Sequence, residues 1–292
     1  MILLDGKKIA ADIRAELKNE IDKLRNKGKK VPGLVAILVG DNPSSQIYVN
    51  SKTRDCHEIG MKTMTEKKEA SISEKELLDL IKVYNSDNDF HGILIQLPLP
   101  KHIDEDKVIE TISPEKDVDG FHPMSVGKLV IGKETFRSCT PAGIQELLIR
   151  YNIDTKGKHV VVLGRSNIVG KPIANIMLQK KEYANSVVTI CHSAAPDVSY
   201  YTRQADILIA AMGVPGFVKA NMVKDEVVVV DVGINRIEDK TAKKGYRIVG
   251  DVDFDEVSKK ASHITPVPGG VGLMTRAMLL KNTFEAYLKY GE

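Results

Sequence analysis

Apolar residues recur at helical spacing near the start of the chain. Ile9, Ile13, Leu17, Ile21 and Leu24 fall on one stripe between Asp5 and Asn26, which predicts an amphipathic helix. The continuous apolar run LVAILVG follows and reads as a strand buried on both faces, stopped by DNPSS. Asp41 or Asn42 suits the N-cap of the next helix and Pro43 its first turn, so residues 43–59 are expected to be helical. A short strand near Met61 to Thr65, a helix from Glu74 to Tyr84 and a second buried strand, GILIQL, come next. The stretch from SPEKDVDGFHP to FRSCTP, rich in charge and glycine, is expected to be irregular, and Pro141 opens a helix running to Tyr151.

A second series begins at Lys158. Its strands are KHVVVLG, SVVTICH, ADILIAA and EVVVVDVG, separated by helices or turns, and it ends near ITPVPGG. Buried apolar strands alternating with helices predict an α/β fold with parallel sheets. The final segment, VGLMTRAMLLKNTFEAYLK, has no strand after it, so this helix is expected to pack back on the first domain. The expected division is 1–140 completed by 271–292, and 141–270, the second a Rossmann-like doubly wound parallel sheet. No internal repeat or low-complexity segment is visible.

Composition narrows the function classes. A length of 292 residues fits two ordinary domains or one large one, and a net charge of +3 is too small and dispersed to point to nucleic acid or an anionic membrane. Only four apolar residues precede Asp5, short of a secretory signal, and no apolar run is long enough to span a bilayer. Cys56, Cys139 and Cys191 are widely spaced without a CxxC pair, so neither a disulfide framework nor a metal site is expected, and the expected setting is a reducing cytoplasm.

The chemistry-bearing motifs follow the two series. After the strand VVVLG, the loop GRSNIVG opens a helix, a setting in which Gly164 lets backbone approach a pyrophosphate. Ser166 stands where a second glycine is usual and Gly170 is displaced, so a plain tight turn also fits. The next strand ends in CHS, with no carboxylate before Asp197; Arg165 and Ser193 would instead offer a guanidinium and a hydroxyl to a ribose 2′-phosphate, which favours NADP. Gly213 and Gly233, at later strand ends, would border the nicotinamide half of the cofactor, although each alone is a turn glycine.

In the first series, Tyr48 and Lys52 lie one helical turn apart, a spacing shared by catalytic pairs and by ordinary surface residues. Gln96 interrupts an apolar strand near its carboxyl end, where a buried amide needs partners. Asp117 and Asp119 sit in a loop, as turn formers or as ligands, and TPVPGGVG places two glycines before the last helix, where backbone could approach a flat ligand.

In order along nearly the whole chain, YVNSK, GILIQLPLP, KDVDGFHP, CTPAG, GRSNIVGKP, TICHS, DVGINR and TPVPGGVGLMT resemble the bifunctional methylenetetrahydrofolate dehydrogenase/cyclohydrolase family. The one departure in the last motif is Leu273, where the family has proline. The resemblance implies two α/β domains across a cleft, the first binding folate and the second NADP. It implies oxidation of 5,10-methylenetetrahydrofolate to the methenyl compound and hydrolysis of that compound to 10-formyltetrahydrofolate. Lys52 would be the general acid/base, Gln96 its holder and Tyr48 a substrate contact. Asp119 would bind the pterin, with Asp117 structural. Pro268, Gly269 and Gly270 would line the folate site, and Gly164, Arg165, Ser166, Ser193 and Ile234 would contact NADP. His192 adjoins the phosphate region without an assigned role. A homodimer through the NADP domain is also implied. The rival readings are a dehydrogenase for another small substrate on the same two-domain plan and a nucleotide-sensing binding module.

Overall fold

The computed structural model describes residues 1–242 and 245–291. They form an α/β protein that divides into two compact units. One comprises Ala11–Cys139 with the chain from Arg276 onward; the other comprises Met1–Ala10 and Thr140–Thr275.

In the unit that contains Ala11–Cys139, β2 (Gly33–Val39) is the centre of a three-stranded parallel sheet between β3 (Lys62–Lys68) and β4 (Gly92–Ile95). The central strand is buried at every position, as its unbroken apolar sequence requires. Strand β3 runs three residues past the expected end at Thr65, because at a sheet edge one face can carry the alternating polar residues of KTMTEKK. Helix α1 (Gly6–Asn26) follows the expected stripe. Helix α2 (Pro43–Ile59) starts at Asn42, whose side chain accepts the N–H groups of Ser44 at 2.9 Å and Ser45 at 3.2 Å. Helix α3 (Glu74–Ser86) begins with a reciprocal Ser73–Glu76 cap, and α4 (Glu105–Thr111) leads into the acidic loop. Val35, Ile37, Leu77, Ile81 and Ile93 are among the residues that form the core between sheet and helices.

The stretch expected to be irregular contains a helix, α5 (Pro123–Val130). Gly127 inside it and the charged, glycine-bearing sequence around it conceal it, although Pro123 suits its first turn. The structure supplies a cap instead, His122 Nδ1 accepting the Met124 N–H at 2.9 Å.

The other unit is built on α6 (Cys139–Arg150) and a six-stranded parallel sheet. It contains β5 (His159–Leu163), β6 (Val187–Cys191), β7 (Ile207–Ala210) and β8 (Val228–Asp231). The two-residue strands β1 (Ile2–Leu3) and β11 (His263–Ile264) extend it, in the order β1-β11-β8-β7-β5-β6. The N-terminal ten residues therefore belong to this later unit. Helices α7 (Gly170–Met177), α8 (Val198–Thr202) and α9 (Phe254–Val257) and an antiparallel hairpin of β9 (Asn235–Glu238) and β10 (Tyr246–Val249) complete it. The last helix, α10 (Val271–Tyr290), contributes its first turn here, and from Arg276 onward it packs with the unit containing Ala11–Cys139.

Candidate active site

Tyr48 and Lys52 lie on the same face of α2, one turn apart. Tyr48 is exposed and Lys52 half-buried. Gln96 follows the last residue of β4, and its backbone N–H donates to the Ile37 carbonyl at 3.0 Å, which continues the sheet pairing by one residue. Its side-chain Nε2 donates to the Leu97 carbonyl at 2.8 Å, leaving Oε1 to accept from Lys52 Nζ at 3.2 Å. The amide thus presents a fixed acceptor to the amine.

The loop after α4 carries both acids, and they differ in environment. Asp117 is buried and accepts the N–H groups of Phe121 at 3.2 Å and His122 at 2.9 Å and the Ser125 hydroxyl at 2.8 Å. Burial pushes its carboxyl up to about 6 against those bonds. This carboxylate organises the turn. Asp119 is half-buried with only the weak Cys139 thiol donor, at 3.8 Å. Burial raises its carboxyl, opposed by the Lys52 charge and that thiol. The turn is further held by Asn282 of α10, which donates to the carbonyls of Val118 at 2.8 Å and Arg137 at 3.1 Å. Tyr48, Lys52, Gln96 and Asp119 therefore belong to one unit.

Arg276, also on α10, binds both oxygens of the buried Asp55 on α2, with Nε to Oδ2 at 2.6 Å and Nη2 to Oδ1. In the sequence neither residue differs from an ordinary helix-surface charge, because only the tertiary contact across 221 positions pairs them.

In the other unit, Gly164 ends β5 with φ of +130°, and a Cβ there would strike the Ala211 carbonyl. A Cβ on Gly170 would strike the Gly164 carbonyl, so both glycines are required for the close strand-to-helix turn. The Ser166 hydroxyl accepts the N–H groups of Val169 at 3.1 Å and Gly170 at 3.3 Å, which leaves its own proton free to donate outward. Arg165 and Ser193 are exposed, and Arg165 makes no hydrogen bond or ion pair among the described residues. The first acid after β6, Asp197, is engaged elsewhere. It caps α8 through the Tyr200 N–H at 3.1 Å and pairs with Arg203 at 3.6 Å. This donor set, a free guanidinium and hydroxyls without a nearby free carboxylate, fits a phosphorylated ribose. His192 Nδ1 accepts the Ala194 N–H at 3.3 Å.

Two acids absent from the sequence-based site organise the glycine strand ends. Asp251 is fully buried and accepts Met212 N–H at 2.6 Å, Gly213 N–H at 2.9 Å and Asn235 Nδ2 at 2.8 Å. Asp231 accepts the N–H groups of Gly233 at 2.9 Å, Asp251 at 2.9 Å and Val252 at 3.0 Å, and burial pushes its carboxyl up to about 6. Ile234 is exposed beside them. Pro268, Gly269 and Gly270 also belong to this unit, with the Lys7 N–H donating to the Gly269 carbonyl at 2.9 Å; the structure does not group them with Lys52.

Cys56, Cys139 and Cys191 are free and buried, and burial pushes the Cys56 thiol up to about 12. Among the described residues no cluster of three His, Cys, Asp or Glu could hold a metal, and no helix is long and apolar enough to cross a membrane.

Two family sequence models match: tetrahydrofolate dehydrogenase/cyclohydrolase, catalytic domain, over residues 4–119, and its NAD(P)-binding domain over residues 138–290. The chain is 57% identical over 289 residues to the bifunctional protein FolD of Chloroherpeton thalassium, covering 98% of each. The crystal structure of the bifunctional FolD dehydrogenase/cyclohydrolase of Campylobacter jejuni is similar with a TM-score of 0.92 at 51% identity, covering 98% of each chain. The Trypanosoma brucei FolD, solved with NADP cofactor and inhibitor, is similar with a TM-score of 0.92 at 37% identity, covering 99% of this chain and 98% of that one. The chain belongs to the tetrahydrofolate dehydrogenase/cyclohydrolase family.

Proposed function

We propose that this protein oxidises 5,10-methylenetetrahydrofolate with NADP and hydrolyses the resulting 5,10-methenyl compound to 10-formyltetrahydrofolate. The observation that carries the reading is the Lys52 Nζ to Gln96 Oε1 bond, in a family member whose matching segment is the catalytic domain.

An amine exchanges protons near neutral pH only where its cation is not over-stabilised. Lys52 donates to a neutral amide at hydrogen-bond distance. In this reading Lys52 moves the protons of hydrolysis, Gln96 aims it and Tyr48 contacts the substrate. Asp119 accepts N–H groups of the pterin edge, for which a carboxylate has two parallel acceptor sites. Pro268, Gly269 and Gly270 add substrate contacts. Residues 1–140 with 271–292 serve folate and 141–270 serve NADP.

NADP, when bound, accepts the hydride, and the protein's part in that step is positioning. Arg165, Ser166 and Ser193 offer donors to its phosphates, while Gly164, Gly213, Gly233 and Ile234 line its path. The edge strand β6 exposes Val187 and Ile190, with Leu178 exposed before it, a surface that fits a homodimer through this unit. A monomeric mass by light scattering at working concentration would count against that dimer. Three free thiols fit a reducing compartment, the cytoplasm.

The test follows absorbance with methylenetetrahydrofolate and NADP, and separately the decay of the methenyl compound without cofactor, for wild type and Lys52→Met. Wild type is expected to do both and the variant to lose hydrolysis. Neither reaction exceeding the uncatalysed rate in wild type would remove the folate function.

A further inference from the structure

Asp55 and Arg276 have no role in the chemistry above, yet they meet beside Lys52. On α2, Tyr48, Lys52 and Asp55 follow at steps of four and three residues, so all three share one face and Asp55 lies one turn beyond Lys52. A lysine and an aspartate at that spacing on an isolated helix attract each other. In this protein they are kept on separate partners. Lys52 Nζ donates to Gln96 at 3.2 Å, while both Asp55 oxygens are taken by the Arg276 fork. Arg276 Nη2 also reaches the carbonyl of Ser51, the residue before Lys52, at 3.4 Å. The Asp55 side chain is 4% exposed and that of Arg276 19%, so solvent screens the pair weakly.

Resting on the reading of Lys52 as the proton carrier, we propose that Arg276 is a positioning residue: by occupying both oxygens of Asp55 it keeps that carboxylate from capturing the Lys52 ammonium, which stays on Gln96. A lysine held by an ionised aspartate is fixed as its cation, whereas a lysine on a neutral amide remains free to give and take a proton. A planar guanidinium suits this task, since it satisfies a carboxylate with two parallel bonds and never deprotonates. The remaining acid near the amine is Asp119, whose charge state responds to Lys52 from the loop after α4. The thiols of Cys56 and Cys139, which also feel Lys52, are pushed up by burial and stay neutral.

The experiment compares cofactor-free hydrolysis of the methenyl compound by wild type, Arg276→Met, Asp55→Ala and the double variant, with NADP affinity and thermal unfolding as controls for the fold. Arg276→Met is expected to lower kcat by about tenfold or more, general acid–base transfer being worth about a hundredfold or more, with KM and NADP affinity unchanged. Asp55→Ala leaves no competing carboxylate and keeps turnover near wild type, and the double variant recovers to within about threefold, the coupling expected of residues in contact. A pair that serves only the fold would give both single variants the same loss, because each leaves a buried charge unpaired. That result, or a double variant as slow as Arg276→Met, overturns the proposal. Should Arg276→Met not fold, Arg276→Lys takes its place, keeping one charge on Asp55 but losing the fork; an intermediate fall in kcat supports the proposal and an unchanged kcat overturns it. A wild type without hydrolysis removes the functional reading together with this inference, whereas an active wild type with equal single-variant losses removes this inference alone.

Discussion

The fully buried carboxylate of Asp251 accepts the backbone N–H of Gly213 at 2.9 Å, so an acid beyond the β9–β10 hairpin fixes the glycine at the end of β7. The same carboxylate holds Met212 N–H and the Asn235 side chain, and its own N–H is held by Asp231. Three chain segments that border the proposed nicotinamide site thereby share one anchor.

Replacing Asp251 by alanine strands two backbone donors and an amide, at about 1–3 kcal/mol for each buried group left unsatisfied. The expected outcome separates the two activities. NADP affinity and dehydrogenase turnover fall together by about tenfold or more, while cofactor-free hydrolysis persists, since the proposed proton carrier Lys52 and its partner Gln96 lie in the other unit. Parallel assays on one folded preparation decide it, and an equal loss of both activities would sink the idea.

Arg165 carries the argument for NADP over NAD. Its guanidinium has no described partner, and the acid nearest the end of β6 is engaged with Tyr200 and Arg203. A charge-assisted contact of this kind is worth roughly 1.5–3 kcal/mol, or about ten- to a hundredfold in affinity. Arg165→Ala is expected to weaken NADP by that factor and to leave NAD nearly unchanged. Titration of each nucleotide gives the comparison, and equal weakening would remove the phosphate contact from the account.

Asp117 is assigned to holding the loop that presents Asp119. With three donors on its carboxylate, Asp117→Ala is expected to weaken folate binding by about tenfold or more without touching NADP affinity, a loss of roughly 1–3 kcal/mol in local order. An unchanged KM for methylenetetrahydrofolate would show that the turn holds without it.

What the sequence disclosed and concealed follows from range of interaction. The stripe of α1, the apolar runs of β2 and β5 and the Asn42 cap are local signals, and each produced the expected element. Strands β1 and β11 have two residues each, too few for a period, and exist because they pair with one another across the chain. Tyr48, Lys52 and Gln96 were legible from helical spacing and from a polar residue in an apolar run. Asp55, Arg276 and Asp251 were not, since an acid or an arginine on a helix or in a turn reads as a solvated charge until a distant partner buries it. Gly233 illustrates the point: a Cβ there would press on the Asp251 carboxylate, a constraint set by a residue 18 positions later.

His91 is the last case, and it concerns stability. Its Nδ1 accepts the Gly33 N–H at 3.0 Å at the start of β2, and its ring meets Tyr287 of α10 edge-on at 5.0 Å. The residue is 5% exposed, and burial, with the charges of Lys116 and Lys30, pushes the imidazole down to about 4 from its ordinary 6.5. Between those values the unfolded chain binds the proton and the folded chain does not, so stability rises with pH through this window. The contribution is complete above pH 6.5 and is lost as pH falls toward 4, where protonation also removes the acceptor for Gly33. The shift corresponds to about 3 kcal/mol. In His91→Phe, which has no imidazole to titrate, the deficit relative to wild type is therefore expected to be largest near pH 7.5 and to shrink by about that amount by pH 4. Urea unfolding at both pH values measures it, and a deficit that stays constant or widens on acidification would mean that His91 is not held neutral in the fold.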